Sequence, residues 1–419
     1  MKSWQAVLTI VAVSVGLVLL SVPSQTWFTP AAFSLASGVS ALALMAAAAI
    51  LVSRWSPIEG LFGGLDRVYE AHKWLGVFAL SLASVHLLFK AGDPLWQMEA
   101  ILTLPGAWTR FVRQASFVAL MTIVILALNR NIPYSVWRWW HRLSGPFFLV
   151  VIAHWLSIKS PVSLSSPAGL WLAILSALAV IAATYKLLLY PLVARHGHYR
   201  VVKVSRGGAA AEIELEPVSH RALFQAGHFG FLRMKVDGLR EPHPFTIASA
   251  PSADGTISFV IRALGDYTTK LIGQIEAGMH ADVYAPYGRF ERRPECAREI
   301  WIGGGVGISP FIAWMRDDRH QRFDQVTLFY FFTEGRVFPD VTVLEAMAKE
   351  RGLEFVAISS GPGSEDFTRR FGEIVEHADA SSLDIAVCGP KGLLDSVRRT
   401  ARVHGLRSAD IRHELFAFR

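Results

Sequence analysis

The chain has 419 residues, 52% of them hydrophobic and only 18% charged, with a formal net charge of +7, a composition too apolar for an ordinary soluble protein of this size. Part of it must lie in lipid, and because its lysines and arginines are dispersed, with no basic cluster interleaved with aromatic residues, nucleic-acid binding is excluded. Two cysteines, Cys296 and Cys388, are too few for a disulfide framework or a four-cysteine iron–sulfur cluster and point to a reducing compartment for the part that carries them.

The apolar excess is confined to about residues 1–190, and residues 195–419 have the mixed charge of a soluble protein. Apolar windows close to the roughly 20 residues that a membrane-crossing helix needs fall at 4–20, 31–52, 69–89, 111–128, 139–158 and 168–190. They predict a six-helix transmembrane bundle with both chain ends on one side. The first window, preceded by Lys2, has the alternative reading of a signal peptide. Lys2, Arg54, Arg67, Arg130, Arg138, Arg142, Lys186 and Arg195 flank one face of the spans and Lys90, Arg110, Arg113 and Lys159 the other. Positive charge accumulates on the cytoplasmic side, which places the N-terminus and the soluble half there.

The histidines of the apolar half are His72 and His86 in the third window and His141 and His154 in the fifth. Ionisable groups at that depth need a reason. One isolated histidine is explained by a hydrogen bond that caps a neighbouring helix; two pairs, nearly equally spaced on helices that run in the same direction, point instead to ligation. At 1.5 Å rise per residue the two steps are roughly 21 Å and roughly 20 Å. His72 therefore pairs with His141 toward the inner face and His86 with His154 toward the outer, an arrangement that fits two bis-histidine b-type haems. A thirteen-residue step leaves the second side chain rotated by roughly 140° on an ideal helix, so the fifth span is expected to be distorted at Gly145 and Pro146. Arg67, Arg138 and Arg142 on the inner side, and Lys90, Arg110, Arg113 and Lys159 on the outer, are candidate partners for haem propionates, although interface marking explains each of them as well.

From 199 to about 287, short alternating segments such as YRVVKV, AEIELEP and HFGFLRM separated by glycine and proline turns read as an antiparallel β-barrel. It carries HPFTIAS (His243, Pro244, Phe245, Thr246, Ile247, Ser249), where a proline-fixed turn and the Thr246 hydroxyl can hold the edge of a planar cofactor. It also carries LGDYTTK, where Gly265, Asp266, Thr268 and Thr269 open a helix whose first amides suit a phosphate. Each run alone reads equally as a capped turn. From 299 onward, strand-like runs alternate with helical ones, as in a parallel sheet with crossover helices. Its first strand ends in GGGVGISPF, with Gly303, Gly304, Gly305, Gly307 and Pro310, a turn that lets backbone amides approach a pyrophosphate or that simply links strand to helix. The run FFTEGR supplies Thr333, Glu334 for a ribose hydroxyl and Arg336 for a 2′-phosphate, two cues that conflict, with the reading leaning to NADPH or use of both coenzymes.

With paired histidines in spans three and five, HPFT, GGGVGISPF and the run CGP (Cys388, Gly389, Pro390) in that order, the chain resembles the NADPH oxidase and ferric reductase superfamily along nearly its whole length. The resemblance implies a transmembrane di-haem domain over 1–192, an FAD-binding β-barrel over 193–296 and an NAD(P)-binding α/β domain over 297–419. It implies that His72, His86, His141 and His154 hold haem iron, that His243–Thr246 hold flavin, that the glycine turn holds NAD(P), and that Cys388–Pro390 lie beside the nicotinamide. The ending HELFAFR resembles the family's C-terminal aromatic that covers the flavin ring, with Phe416 preferred over Phe418, so Cys388, Thr246 and Phe416 become the catalytic candidates. The implied function is electron transfer from cytoplasmic NADPH, or NADH, through FAD and two haems to an acceptor on the far face of a bacterial-type plasma membrane. Oxygen, giving superoxide, is the expected acceptor; a ferric chelate or a separate outer protein are the alternatives, and no obligatory protein partner is expected. Calcium-binding or docking segments of the animal oxidases are not recognisable, which suggests constitutive activity in a minimal oxidase.

Overall fold

The computed structural model describes residues 1–129, 131–132, 134–194, 196–319, 322–335, 338–379 and 382–414; Arg130, Arg195, Arg336, Phe416 and Phe418 lie outside the described residues. The chain divides after Val193 into two compact units.

The first unit is helical: α1 Ser3–Ser21, α2 Pro30–Leu51, α3 Ser56–Phe62, α4 Leu65–Leu88, α5 Gly106–Leu128, α6 Tyr134–His141, α7 Ser144–Ser157 and α8 Pro167–Thr184, the last running through a π-helical turn, Tyr185–Leu189, into α9 Tyr190–Val193. Helix starts follow their sequence: the hydroxyls of Thr29 and Ser166 accept from the amides of Ala32 and Gly169, with Pro30 and Pro167 in the first turn. Among the described residues five stretches, α1, α2, α4, α5 and Pro167–Leu189, are long and apolar enough to cross a membrane. α2 is their centre, with 72% of its apolar window buried against 17% for α4. Its run of alanines, serines and Gly38 lets neighbours approach closely, while outward leucines such as Leu88 and Leu188 are exposed, as a lipid-facing surface requires.

The window at 139–158, expected to be one helix distorted at Gly145 and Pro146, is instead two helices, α6 and α7, parted at Arg142–Leu143. Pro146 explains the position. A proline ring collides with the carbonyl four residues earlier and offers it no amide, and that carbonyl belongs to Arg142. The helix therefore stops one turn before the proline, and the phase of α7 is independent of that of α6.

In the second unit, β1 Gly197–Gly207, β2 Ala210–Pro217, β3 Phe229–Met234, β4 His243–Thr246, β5 Ile257–Arg262 and β6 His280–Tyr287 form an antiparallel sheet in the order β4-β3-β6-β1-β2-β5. An isolated bridge between Ile247 and Phe259 joins the two ends, so the sheet curls into a barrel, as the alternating pattern predicts. Helix α10, Asp266–Gln274, lies between β5 and β6. Five parallel strands follow, β7 Arg298–Gly304, β8 Val326–Phe331, β9 Glu354–Ile358, β10 Leu383–Cys388 and β11 Ile411–Glu414, in the order β11-β10-β7-β8-β9. Helices α11 Ser309–Met315, α12 Val341–Arg351, α13 Glu365–Glu376 and α14 Lys391–Val403 connect them. Barrel and α/β layer share a core: Ala226, Ala248 and Phe290 pack with Trp301, Phe311 and Trp314. The Trp314 indole donates to the Ala226 carbonyl (3.1 Å) and Arg316 pairs with Glu212 of β2 (2.6 Å). The loops of both layers are thus carried on one packed unit.

Candidate functional site

In the membrane unit the four histidine rings meet in two pairs. The centroids of His72 and His141 are 5.9 Å apart with ring planes at 86°, and those of His86 and His154 are 6.5 Å apart at 76°. Two imidazoles sharing a metal at about 2 Å from each nitrogen have centroids roughly 6.3 Å apart, so both separations suit a shared ion. Break and phase reset between α6 and α7 are what bring the His154 ring to face His86 despite the thirteen-residue step.

Helix α2 orients the rings of α4. His72 donates from Nδ1 to the Ala48 carbonyl (2.9 Å) and His86 from Nδ1 to the Ser34 carbonyl (2.9 Å). His72 and His86 are fourteen residues apart, as are Ser34 and Ala48, because antiparallel α2 and α4 keep register. These bonds are the helix-capping contacts that a histidine in lipid would make on its own account, yet each engages a single nitrogen. The Nε2 atom then carries the lone pair, the arrangement by which ligating histidines are held. His141 and His154 keep buried Nδ1 atoms with no hydrogen-bond partner among the described residues, and His141 stacks on Trp137 at 5.1 Å. Gly38 is the contact that the sequence reading did not single out: a Cβ there would lie 2.8 Å from Nδ1 and 2.9 Å from Cε1 of His86. At the end of the helical unit nearer His72, Arg54 donates to the hydroxyls of Tyr69 (3.1 Å) and Tyr190 (3.3 Å), and the Lys186 ammonium lies 3.6 Å from the centre of the Tyr190 ring. Two cations therefore converge on one tyrosine.

In the second unit, β4 carries HPFT at a sheet end, where Pro244 removes no ladder bond that a central strand would need. His243 stacks on Tyr267 of α10 at 3.6 Å, which brings the HPFT and LGDYTTK runs together although twenty-four residues separate the two rings. Burial pushes the Tyr267 hydroxyl well above the ordinary tyrosine range, and it donates to the Leu239 carbonyl (3.2 Å). Thr246 Oγ1 is buried without a hydrogen-bond partner among the described residues, a hydroxyl with its bonding capacity in reserve. Ile247 lies wholly inside the barrel core, and the Ser249 hydroxyl accepts from the Ser258 amide (3.0 Å), so these two side chains serve the barrel. At the start of α10, Thr268 Oγ1 accepts from the amides of Leu264 (2.9 Å) and Gly265 (3.1 Å). The capped turn is thereby realised, and the amides of Asp266 and Tyr267 have no acceptor inside the helix. Asp266 and Thr269 are exposed.

The α/β layer places its glycine turn at a change of strand direction. From β7 the chain proceeds to β8 on one side and later returns on the other through β10, with Gly303 in register with Cys388; such switch points at carboxyl strand ends are where open α/β sheets bind nucleotides. Gly305–Ile308 form a 3₁₀ turn before α11, with Pro310 in its first turn. A Cβ on Gly307 would overlap the Cys388 carbonyl oxygen, so only glycine lets this turn touch the CGP segment. Gly304 packs against Leu393 and Pro390, and Arg262 of β5 reaches Gly305. Thr333 and Glu334 are exposed just beyond β8. The Cys388 side chain is buried, beside Glu414 of β11 in register. Burial pushes the Tyr330 hydroxyl up to about 12, with Arg262 pulling the other way.

Comparison with known proteins follows this division. Residues 37–152 match the family described as ferric reductase like transmembrane component, and residues 206–322 match the FAD-binding domain family. Dual oxidase 2 of Rattus norvegicus is 25% identical over 297 residues, 60% of this chain and 18% of its own length. The toluate 1,2-dioxygenase electron transfer component of Pseudomonas putida is 24% identical over 195 residues, 45% of this chain and 57% of its own. A superoxide-generating NADPH oxidase heavy chain of Dictyostelium discoideum is 24% identical over 242 residues, 53% of this chain and 44% of its own. The chain spans less than two thirds of the length of each of these relatives.

Proposed function

We propose that this oxidoreductase, which joins a ferric-reductase-like transmembrane component to an FAD-binding module and is homologous to the NADPH oxidases, is a transmembrane NAD(P)H oxidase that delivers electrons to oxygen on the outer face. The observation that carries the reading is the pairing of His72 with His141 and of His86 with His154 at two depths on helices that run together. In this reading α6 and α7 together make a sixth crossing, and the barrel and α/β layer are cytoplasmic.

His72 and His141 would hold the inner haem and His86 and His154 the outer one; Thr246 and the His243–Tyr267 stack would hold FAD; the glycine turn and Cys388–Pro390 would hold NAD(P)H. When bound, FAD accepts the two electrons of a hydride and passes them on singly to haem iron, which carries one at a time. The chain's own part is positional. The Ala48 and Ser34 carbonyls fix the tautomer of the two α4 imidazoles so that each presents Nε2. His72 with His141 and His86 with His154 would each give one imidazole nitrogen to the haem they hold, which would supply one-electron transfer. Contact between Gly307 and the Cys388 carbonyl holds the coenzyme loop against the CGP segment, and Thr246 keeps a hydroxyl without a partner among the described residues at the end of β4. Glu334, exposed beside Thr333 just beyond β8, would hold a ribose hydroxyl.

Reduced-minus-oxidised spectra of the purified chain should show two b-type haems per polypeptide that are reduced by NADPH or NADH, with superoxide formed under air. Absence of haem would reduce the chain to a membrane-tethered flavin reductase. Idleness toward oxygen with rapid turnover of ferric chelate would make it a ferric reductase, and activity only after a second protein is added would make it an electron-supplying component of a larger assembly.

A further inference from the structure

Away from these sites, His196, His198 and Asp282 each bring a ligand-capable atom within 4.8 Å of the other two. His196 and His198 stand two apart at the start of β1, a spacing that sends both side chains to one face of an extended chain, and their ring centroids are 4.9 Å apart. Asp282 is the residue of β6 directly opposite His198; it is buried, and its Oδ1 accepts from His198 Nδ1 (2.6 Å). His196 donates from Nδ1 to the Ala194 carbonyl (2.8 Å), which leaves its Nε2 as a lone-pair donor. A cation already stands among these groups: the Lys235 ammonium lies 3.0 Å from Asp282 Oδ1 and 3.1 Å from His198 Nδ1, with Arg233 more distant at 3.9 Å from Asp282 Oδ2.

We propose that His196, His198 and Asp282 form a three-ligand site for a divalent transition ion of the zinc type, which takes the place of the Lys235 ammonium. Two imidazoles and one carboxylate, with a fourth position open to water, are the donor set that zinc takes; magnesium and calcium require oxygen donors throughout. Lys235 can leave because its side chain is half exposed on a flexible stem. A bound ion would replace the His198–Asp282 hydrogen bond with two metal bonds and fasten the first residues of β1 to β6. No part of the electron path passes through it, so the site stands or falls apart from the oxidase reading.

The test uses the full-length protein in detergent, purified without a polyhistidine tag and dialysed to equilibrium against graded zinc chloride, with zinc and flavin per chain measured together. The wild type should retain one more zinc than the His196→Ala/His198→Ala and Asp282→Asn variants at equal flavin content. Lys235→Ala should bind that zinc at least tenfold more tightly, because the competing ammonium is gone. Equal zinc in wild type and the double-histidine variant, or unchanged affinity in Lys235→Ala, would overturn the proposal and leave an ion-pair cluster. Should Asp282→Asn lose flavin, the comparison of wild type, the double variant and Lys235→Ala still decides.

Discussion

Replacing Gly38 by alanine adds one carbon to α2, and its effect follows from geometry. The new Cβ would sit 2.8 Å from the Nδ1 of His86, against an ordinary contact of 3.4 Å or more, so ring or helix must yield by about 0.6 Å. Constellations of ligands work within about 0.5 Å of their productive geometry, and overpacking of this kind costs about 1–3 kcal/mol. Alanine also favours helix by about 1 kcal/mol over glycine, so global stability should change little while His86 moves. Gly16→Ala supplies the control, because nothing lies within 4 Å of a Cβ there and the gain in helix propensity is the same. In a potentiometric titration of the purified protein, Gly38→Ala should shift the midpoint or abolish the low-spin bis-imidazole signature of one haem and leave the other unchanged. Gly16→Ala should match the wild type. Two unaltered haems in Gly38→Ala would refute the assignment of His86 as a ligand held against α2.

Gly307→Ala would drive a methyl group into the Cys388 carbonyl, so KM for NAD(P)H should rise at least tenfold, about 1.4 kcal/mol, while dithionite still reduces both haems; an unchanged KM would place the coenzyme elsewhere. Thr246→Val removes a buried hydroxyl that no group among the described residues engages. Its melting temperature should hold while FAD affinity, read by flavin release on dilution, falls about tenfold. Glu299→Ala strands the buried Arg292 guanidinium, whose Nη2 lies 2.9 Å from the carboxylate, and leaves the Trp301 indole without its acceptor. Loss of one partner of a buried pair costs about 3–5 kcal/mol, which for a unit of this size lowers the melting temperature on the order of 10 °C. A drop of only a degree or two in calorimetry would count against that pair as a structural lock.

What the sequence made legible was whatever broke a local expectation. Histidines inside apolar windows stand out because lipid tolerates few ionisable groups, and the alternating and mixed patterns announced a barrel and an α/β layer. Gly38 and Ser34 were hidden in a helix rich in alanine and serine, where any small residue reads as ordinary packing; only the fourteen-residue register between α2 and α4 reveals which face receives a ring. The break in the fifth window was expected at Gly145 and Pro146 but falls at Arg142–Leu143, because proline acts on the carbonyl a turn behind it rather than at its own position. The stack of His243 on Tyr267 and the register of Cys388 with Gly303 depend on sheet closure and strand order. Both are non-local, and no window of sequence contains them.

Helix α2 supplies both carbonyls, at Ser34 and Ala48, that anchor the rings of α4. It thus serves as a ruler: whatever lies at the two depths is spaced by the pitch of a single buried rod, insulated from movement in the loops at either membrane face. Inserting one residue between those carbonyls would turn one anchor away by about 100°. The two levels cannot be retuned separately by changing the length of that rod, and any difference between them is left to the side chains around each ring.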